Sequence, residues 1–433
     1  MAAKPLMRWC HLLAVLLVAG ALVACETNPV TGERELSLVG EDWEREVGRE
    51  HYPYLRQAEG GDYALQPELV DYVREVGQRV ADESDRDLDY EFTVLNSSVP
   101  NAWALPGGKI AINRGLLTEM GSEAELAAVL GHEVVHAAAR HGAQRQTSQT
   151  LMQGAVMAGG LAVGVATDRA EYAAVAMLAG QLGAQLISMR YSRSAELESD
   201  RFGMIYMDRA GYDASAAVDL QETFVRLSEG RGGGGFAQGL FASHPPSEQR
   251  VEANRDTARE LGASGERGEA RYREMTERIR ELEPAYAAHD AGRRALRDGD
   301  AEKALEQARK ALEAERGEAI FHALRGDALA TKDRMDDAES AYSAALERDG
   351  SWFYHHLRRG QVREQSGALS GARRDLERSL ELLPTADGHY YLGNVERRSD
   401  NRDRAIENYR KAAQSDDAIG KRAREALAEM GAG

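Results

Sequence analysis

Hydrophobic residues fall along the chain in three regimes. The first is an unbroken apolar run from Leu12 to Ala24, preceded by Lys4 and Arg8. It is too short for a stable bilayer anchor and the right length for the core of a signal peptide. In the second regime, up to about Gly265, strand-like alternation at Tyr90–Leu95 and Lys109–Ile112 is mixed with helical periodicity at Ser122–His141, where Ser122 and Glu125 form a capping box. This mixture predicts an α+β domain. Two apolar, Gly/Ala-rich stretches, Leu151–Ala166 and Tyr172–Met189, flank the polar turn Thr167-Asp168-Arg169 and are interrupted by Gln153, Gln181 and Gln185. They predict a helical hairpin packed on the domain or lying on a membrane surface, in preference to a membrane-spanning pair. The glycine run Gly230–Gly235 predicts a mobile loop.

The third regime, after Glu266, is helical throughout and repeats itself. Gly292, Gly326, Gly360 and Gly393 are spaced 34, 34 and 33 residues apart, and Ala304, Ala338, Ala372 and Ala405 follow each by 12. Four residues further on stand Ala308, Tyr342, Leu376 and Tyr409, and Pro384 closes one repeat. Small residues that let paired helices approach, with larger ones filling the grooves between neighbouring pairs, are the tetratricopeptide pattern. About four repeats are expected, forming a solenoid whose concave face holds a polypeptide.

Composition narrows the function. With 43% hydrophobic and 29% charged residues the chain is globular, and its net charge of −17, with no basic block, excludes a nucleic-acid partner. The apolar run ends in Leu22-Val23-Ala24-Cys25, which resembles a bacterial lipobox. Residues 1–24 are therefore read as a cleaved lipoprotein signal peptide and Cys25 as the lipid-carrying first residue. Cys10 leaves with the signal, so no disulfide is expected. Glu26, in place of Asp, predicts retention at the periplasmic face of the outer membrane. The expected organisation is a domain over 25–265 followed by the repeats over 266–433.

The chemistry centres on His132-Glu133-Val134-Val135-His136. Residues four apart share one helix face, so both imidazoles can hold one metal ion while Glu133 reaches the open position. Neutral imidazoles with an open site suit zinc. In a helix otherwise built of Leu126, Ala127, Val129, Leu130, Val134 and Val135, two histidines and a glutamate would be expensive to bury without a metal. A third ligand has to come from elsewhere. The extended-histidine arrangement fails because positions 139 and 142 are Ala139 and Gly142, and His141 reads as a helix-end histidine held by the C-terminal dipole or a hydrogen bond. Glu196 and Asp200, four apart on a second helix, offer one carboxylate for the metal and one to orient an imidazole, with Glu198 solvated.

These residues, with Arg140-His141, Arg193-x-x-Glu196-x-x-x-Asp200, and Asn101-Ala102-Trp103-Ala104-Leu105-Pro106-Gly107-Gly108, resemble family forty-eight of the metallopeptidases, gluzincins related to the CAAX prenyl proteases. The lipobox, the opening Asn28-Pro29-Val30-Thr31-Gly32 and the C-terminal repeats are similar to its periplasmic lipoprotein branch. The resemblance implies a mainly α, α+β gluzincin-type domain followed by an all-α solenoid. It implies one Zn2+ per chain on His132, His136 and Glu196, with Glu133 as general base and Asp200 orienting a ligand. Ser199 departs from the family's usual alanine. Asn101, Ala102, Trp103 and Ala104 are read as an edge strand that binds extended substrate through its backbone. His244, in Ser243-His244-Pro245-Pro246, is expected to face the metal, as a removable fourth ligand or an oxyanion donor. The implied activity is endopeptidase cleavage of misfolded or stalled envelope proteins. The repeats would dock substrate or the outer-membrane assembly machinery, and the lipid anchor would hold the chain at the membrane. The alternative is a chaperone or adaptor in which proteolysis is rare or silenced.

Overall fold

The computed structural model describes residues 25–161, 190–230, 239–262 and 264–432. The signal-peptide reading of 1–24, the hairpin residues 162–189 and most of the glycine-rich loop lie outside the described residues. A two-stranded antiparallel ribbon, β1 (Cys25–Thr27) and β2 (Arg34–Leu36), opens the chain. Its turn is tied by Asn28, whose side-chain oxygen accepts from the backbone N–H groups of Val30 and Thr31 at 2.9 and 3.3 Å, an Asx-type turn.

Helices α1 (Glu41–Ala58) and α2 (Pro67–Ala81) precede a three-stranded sheet of β3 (Glu91–Leu95), β4 (Ala102–Leu105) and β5 (Lys109–Asn113). The predicted alternating segments form β3 and β5, which pair in parallel at the register Glu91↔Lys109, while β4 pairs antiparallel to the other side of β5. This makes β4 an edge strand. After α3 (Arg114–Leu117) comes α4 (Glu123–Ala138), buried along nearly its whole length among the sheet, α2 and the later helices. Ser122 caps it, accepting from the Glu125 N–H, while Glu125 reaches back to the N–H of Gly121.

The predicted helix through His141 is two elements. α4 stops at Ala138, Arg140 takes a left-handed φ of 64°, and α5 (His141–Leu161) begins. The guanidinium of Arg140 is the cause: it is drawn to buried Glu44 at 2.9 Å, to the Val39 carbonyl at 3.0 Å and to Glu26. His141 thus opens a helix, so the C-terminal dipole does not act on it, and of its two expected supports the structure shows the hydrogen bond, at 2.9 Å to His136.

The remaining helices of this unit are α6 (Arg193–Arg209), α7 (Ala216–Gly230), α8 (Leu240–Ser243), α9 (Glu248–Leu261) and α10 (Glu269–Glu281). Helices α4 and α6 cross where neither has a side chain. A Cβ on Gly203 would lie 3.0 Å from the backbone of Gly131 and from the amide of His132, and one on Gly131 would lie 3.1 Å from the Gly203 carbonyl. Because α4 and α6 can approach this closely, the carboxylates of one reach the imidazoles of the other.

The repeats form helix pairs: α11 (Glu283–Arg297) with α12 (Ala301–Ala314), α13 (Ala319–Thr331) with α14 (Met335–Arg348), α15 (Phe353–Gln365) with α16 (Leu369–Leu382), and α17 (Ala386–Arg398) with α18 (Arg402–Ala412), closed by α19 (Ala418–Glu429). Gly326, Gly360 and Gly393 lie against Tyr342, Leu376 and Tyr409, where a Cβ would meet the facing side chain at 2.7–2.8 Å. The larger residues therefore fill the space inside each pair, not the groove between pairs as the pattern alone predicts. The core of the first unit continues into the repeats through Tyr272, Tyr286 and Phe321. Among the described residues no helix is long and apolar enough to cross a membrane.

Candidate metal centre

Three elements converge. α4 contributes His132 and His136, one turn apart on one face, with Glu133 beside the first; α6, capped by Ser192 on the Ala195 N–H, contributes Glu196 and Asp200; and the chain leaving α8 contributes His244, held by its own N–H on the Leu240 carbonyl at 2.7 Å. All are buried.

The donor atoms of His132, His136, Glu196 and His244 lie within 4.8 Å of one another. His132 Nε2 is 3.0 Å from His136 Nε2 and 3.2 Å from His244 Nδ1, which is 2.9 Å from Glu196 Oε1. Glu196 Oε1 is also 3.4 Å from His136 Nε2. Ligands about 2.0–2.1 Å from a tetrahedral metal are separated by about 3.3 Å, so these spacings match the edges of such a site. Imidazole nitrogens that face one another at 3.0–3.2 Å around a carboxylate are a donor set for a cation. The residues present fit a divalent metal.

The surroundings support the same reading. Asp200 Oδ1 lies 2.9 Å from His132 Nδ1, the nitrogen facing away from the cluster. Glu133 directs Oε1 toward His244 Nε2 at 3.6 Å, and its Oε2 is buried with no hydrogen-bond partner. Burial raises the Glu133 carboxyl above its ordinary value and drives the His136 imidazole well below its own, which keeps that ring neutral. Burial alone would raise Glu196 and Asp200 as well. His244 and Arg250 outweigh it at Glu196, and Arg250 does so at Asp200, so both stay ionised. At His244 the carboxylates of Glu196 and Glu133 overcome burial and raise the imidazole.

Several partners of the site were not predicted. Arg250 on α9 clamps Asp200 with Nε and Nη2, each at 2.7 Å, and lies 2.9 Å from Glu196. The ring of Tyr191 stacks on His136 with centroids 3.8 Å apart. Glu198, expected to be solvated, is half-buried: its Oε1 lies 3.4 Å from His141 Nε2 and accepts from Asn28 at 3.0 Å. The hydroxyl of Ser199 lies 3.4 Å from His141 Nδ1.

The segment Asn101–Ala104 supplies edge strand β4, but the side chains of Ala102, Trp103 and Ala104 point into the interior, where Trp103 packs on Tyr52. The N–H of Leu240 donates to the Pro100 carbonyl just ahead of β4. Cys25 opens β1.

Residues 67–258 match the model of Peptidase family M48 and residues 289–351 that of the Tetratricopeptide repeat. A Vibrio cholerae relative named as a beta-barrel assembly-enhancing protease is 33% identical over 199 residues, 45% of this chain and 40% of that one. The mitochondrial metalloendopeptidase OMA1 of Schizosaccharomyces pombe is 31% identical over 246 residues, 54% of this chain and 68% of that protein. The beta-barrel assembly-enhancing protease of Escherichia coli is 26% identical over 211 residues, 48% of this chain and 43% of the relative. The matches span less than half the length of the two bacterial relatives.

Proposed function

This chain belongs to peptidase family M48, and on that premise we propose that it is a zinc-dependent endopeptidase of the bacterial cell envelope that cleaves misfolded or stalled envelope proteins. The observation that carries the proposal is the convergence of His132, His136 and Glu196 beside a buried carboxylate oxygen of Glu133 that has no partner. Zinc held by the first three would polarise the scissile carbonyl and acidify the attacking water. Glu133 Oε2 takes that water's proton and delivers it to the leaving amine, and burial, which makes this carboxylate more basic, suits it to the task. An extended substrate would lie along β4, hydrogen-bonded through the backbone, which gives affinity without strict side-chain selection.

Lipidation at Cys25 would hold the enzyme at the periplasmic face of the outer membrane. The repeats would dock substrates or the outer-membrane assembly machinery, a reading supported by the names of the bacterial relatives. Metal analysis of the purified chain should find one zinc, and casein cleavage should stop with chelator and return with zinc. Glu133→Gln should lower turnover at least about 100-fold while retaining the metal. A chain devoid of bound zinc, or cleavage indifferent to chelator, would overturn the proposal.

One observation favours the chaperone reading as a resting state: His244 Nδ1 lies among the would-be metal donors while its Nε2 faces Glu133. A fourth protein ligand there leaves no open position. His244→Ala should then raise basal casein cleavage; unchanged cleavage would count against the fourth-ligand role, and diminished cleavage would point to oxyanion binding instead.

A further inference from the structure

Each ring that faces the candidate metal has a second nitrogen that must be held if the first is to point correctly, because a neutral imidazole binds through one nitrogen and carries its proton on the other. For His132 the holder is Asp200. For His136 the motifs already discussed supply none. His136 Nδ1 nevertheless lies 2.9 Å from Nδ1 of His141, whose other nitrogen lies 3.4 Å from Glu198 Oε1. That oxygen accepts from Asn28 Nδ2 at 3.0 Å. Asn28 cannot present its oxygen instead, because its Oδ1 is already taken by the Val30 and Thr31 amides of the turn. Since a carboxylate only accepts, Asn28 donates to Glu198 and His141 turns an Nε2–H toward it; a neutral His141 then has Nδ1 free of a proton, with Ser199 Oγ 3.4 Å away, and can accept the proton carried on His136 Nδ1.

We propose that Asn28, Glu198 and His141 are positioning residues that hold His136 in the tautomer and rotation of a metal ligand, so that the N-terminal ribbon completes the centre. The proposal rests on the metal-site reading above. It assigns a task to the Asn28–Gly32 motif, which lies far from the cluster in sequence. The ribbon is anchored where this task requires: Glu26 pairs with Arg140, the residue before His141, and Glu35 pairs with Gln144 on α5.

The test is the zinc Kd of the full chain, measured by chelator competition, for the unsubstituted protein, Glu198→Gln and Asn28→Asp. Asn28→Asp keeps the oxygen that ties the turn and replaces only the amide donor with a carboxylate facing Glu198. Both variants should bind zinc at least about 10-fold more weakly, with kcat reduced at unchanged KM. Their metal-free Tm should stay near that of the unsubstituted chain while the rise in Tm on adding zinc shrinks. Asn28→Asp with an unchanged zinc Kd and kcat overturns the proposal. So does a variant whose metal-free and zinc-loaded Tm fall equally at constant Kd, since that marks a purely structural role. An unsubstituted chain that takes up no zinc brings down the metal-site reading itself, a result distinguishable from either of these.

Discussion

Arg250 shows how a single residue sets the charge state of the centre. Asp200 and Glu196 are 7% and 2% exposed, and buried carboxylates remain ionised only beside a compensating charge. The guanidinium of Arg250, itself 5% exposed, provides it to both. Replacing Arg250 with Gln leaves buried Asp200 without its cation and Glu196 with His244 alone, a change that costs about 3–5 kcal/mol when one partner of a buried pair is lost. Urea unfolding of the metal-free chain should show a loss of that size for Arg250→Gln, and adding zinc should recover part of it by neutralising Glu196. At this scale the sequence was partly legible. His132, Glu133 and His136 declare themselves because helical geometry turns a four-residue spacing into shared direction. Arg250 stands 50 residues beyond Asp200 on another helix, and no spacing rule links the two. The one available signal was the charge requirement itself: a predicted interior aspartate implies a cation somewhere.

Between elements, the centre depends on how closely α4 and α6 pack. Gly203 faces the amide of His132 itself, so a methyl group at position 203 would press on the backbone that carries the first imidazole. Both contacts are with backbone, which cannot swing aside as a side chain would. Gly203→Ala should therefore destabilise the fold by about 1–3 kcal/mol, despite alanine's better helix propensity. It should also weaken zinc binding by displacing Glu196 from His136. Thermal unfolding with and without zinc measures both, and an unchanged Tm with unchanged zinc affinity would show that the helices have room to spare. The glycines were visible in the sequence, but their partnership was not, since pairing depends on which helix faces which. The same gap explains the helix end at Ala138. The helical period runs on through position 141, and the turn at Arg140 goes with tertiary contacts to Glu44, Val39 and Glu26 that the period does not show.

For the molecule as a whole, the repeats are legible in the chain because each anchor recurs at a fixed interval, whereas their attachment to the catalytic unit is not, because it is made by residues that do not repeat. Trp352, in the loop before α15, lies against Gly61, where a Cβ would meet the indole at 2.8 Å. Its Nε1–H donates to the Gln57 carbonyl at 2.9 Å, and the side chain of Gln57 bonds Ser351 and Phe353 in return, at 2.9 and 2.7 Å. Nearer the start of the repeats, Glu318 accepts from Asn96 and Tyr286, and Arg114 lies over the Tyr286 ring at 3.3 Å. The solenoid is thus fastened to the catalytic unit at two levels, through a shared apolar core near Tyr286 and through the end of α1 near Trp352. Two fastenings hold the pairs between them to one orientation relative to the catalytic unit. Trp352→Ala removes the outer one and spares the inner. Loss of the half-buried indole and of its one hydrogen bond at such a site corresponds to at most about 3–5 kcal/mol. Calorimetry should show the single transition of the unsubstituted chain splitting, with the repeats from α15 onward melting first. Peptides short enough to bypass the repeats should be cleaved as before, while a long unfolded protein should be cleaved more slowly through a raised KM. A single transition that merely shifts downward, with long substrates unaffected, would mean that the inner core alone couples docking to cleavage.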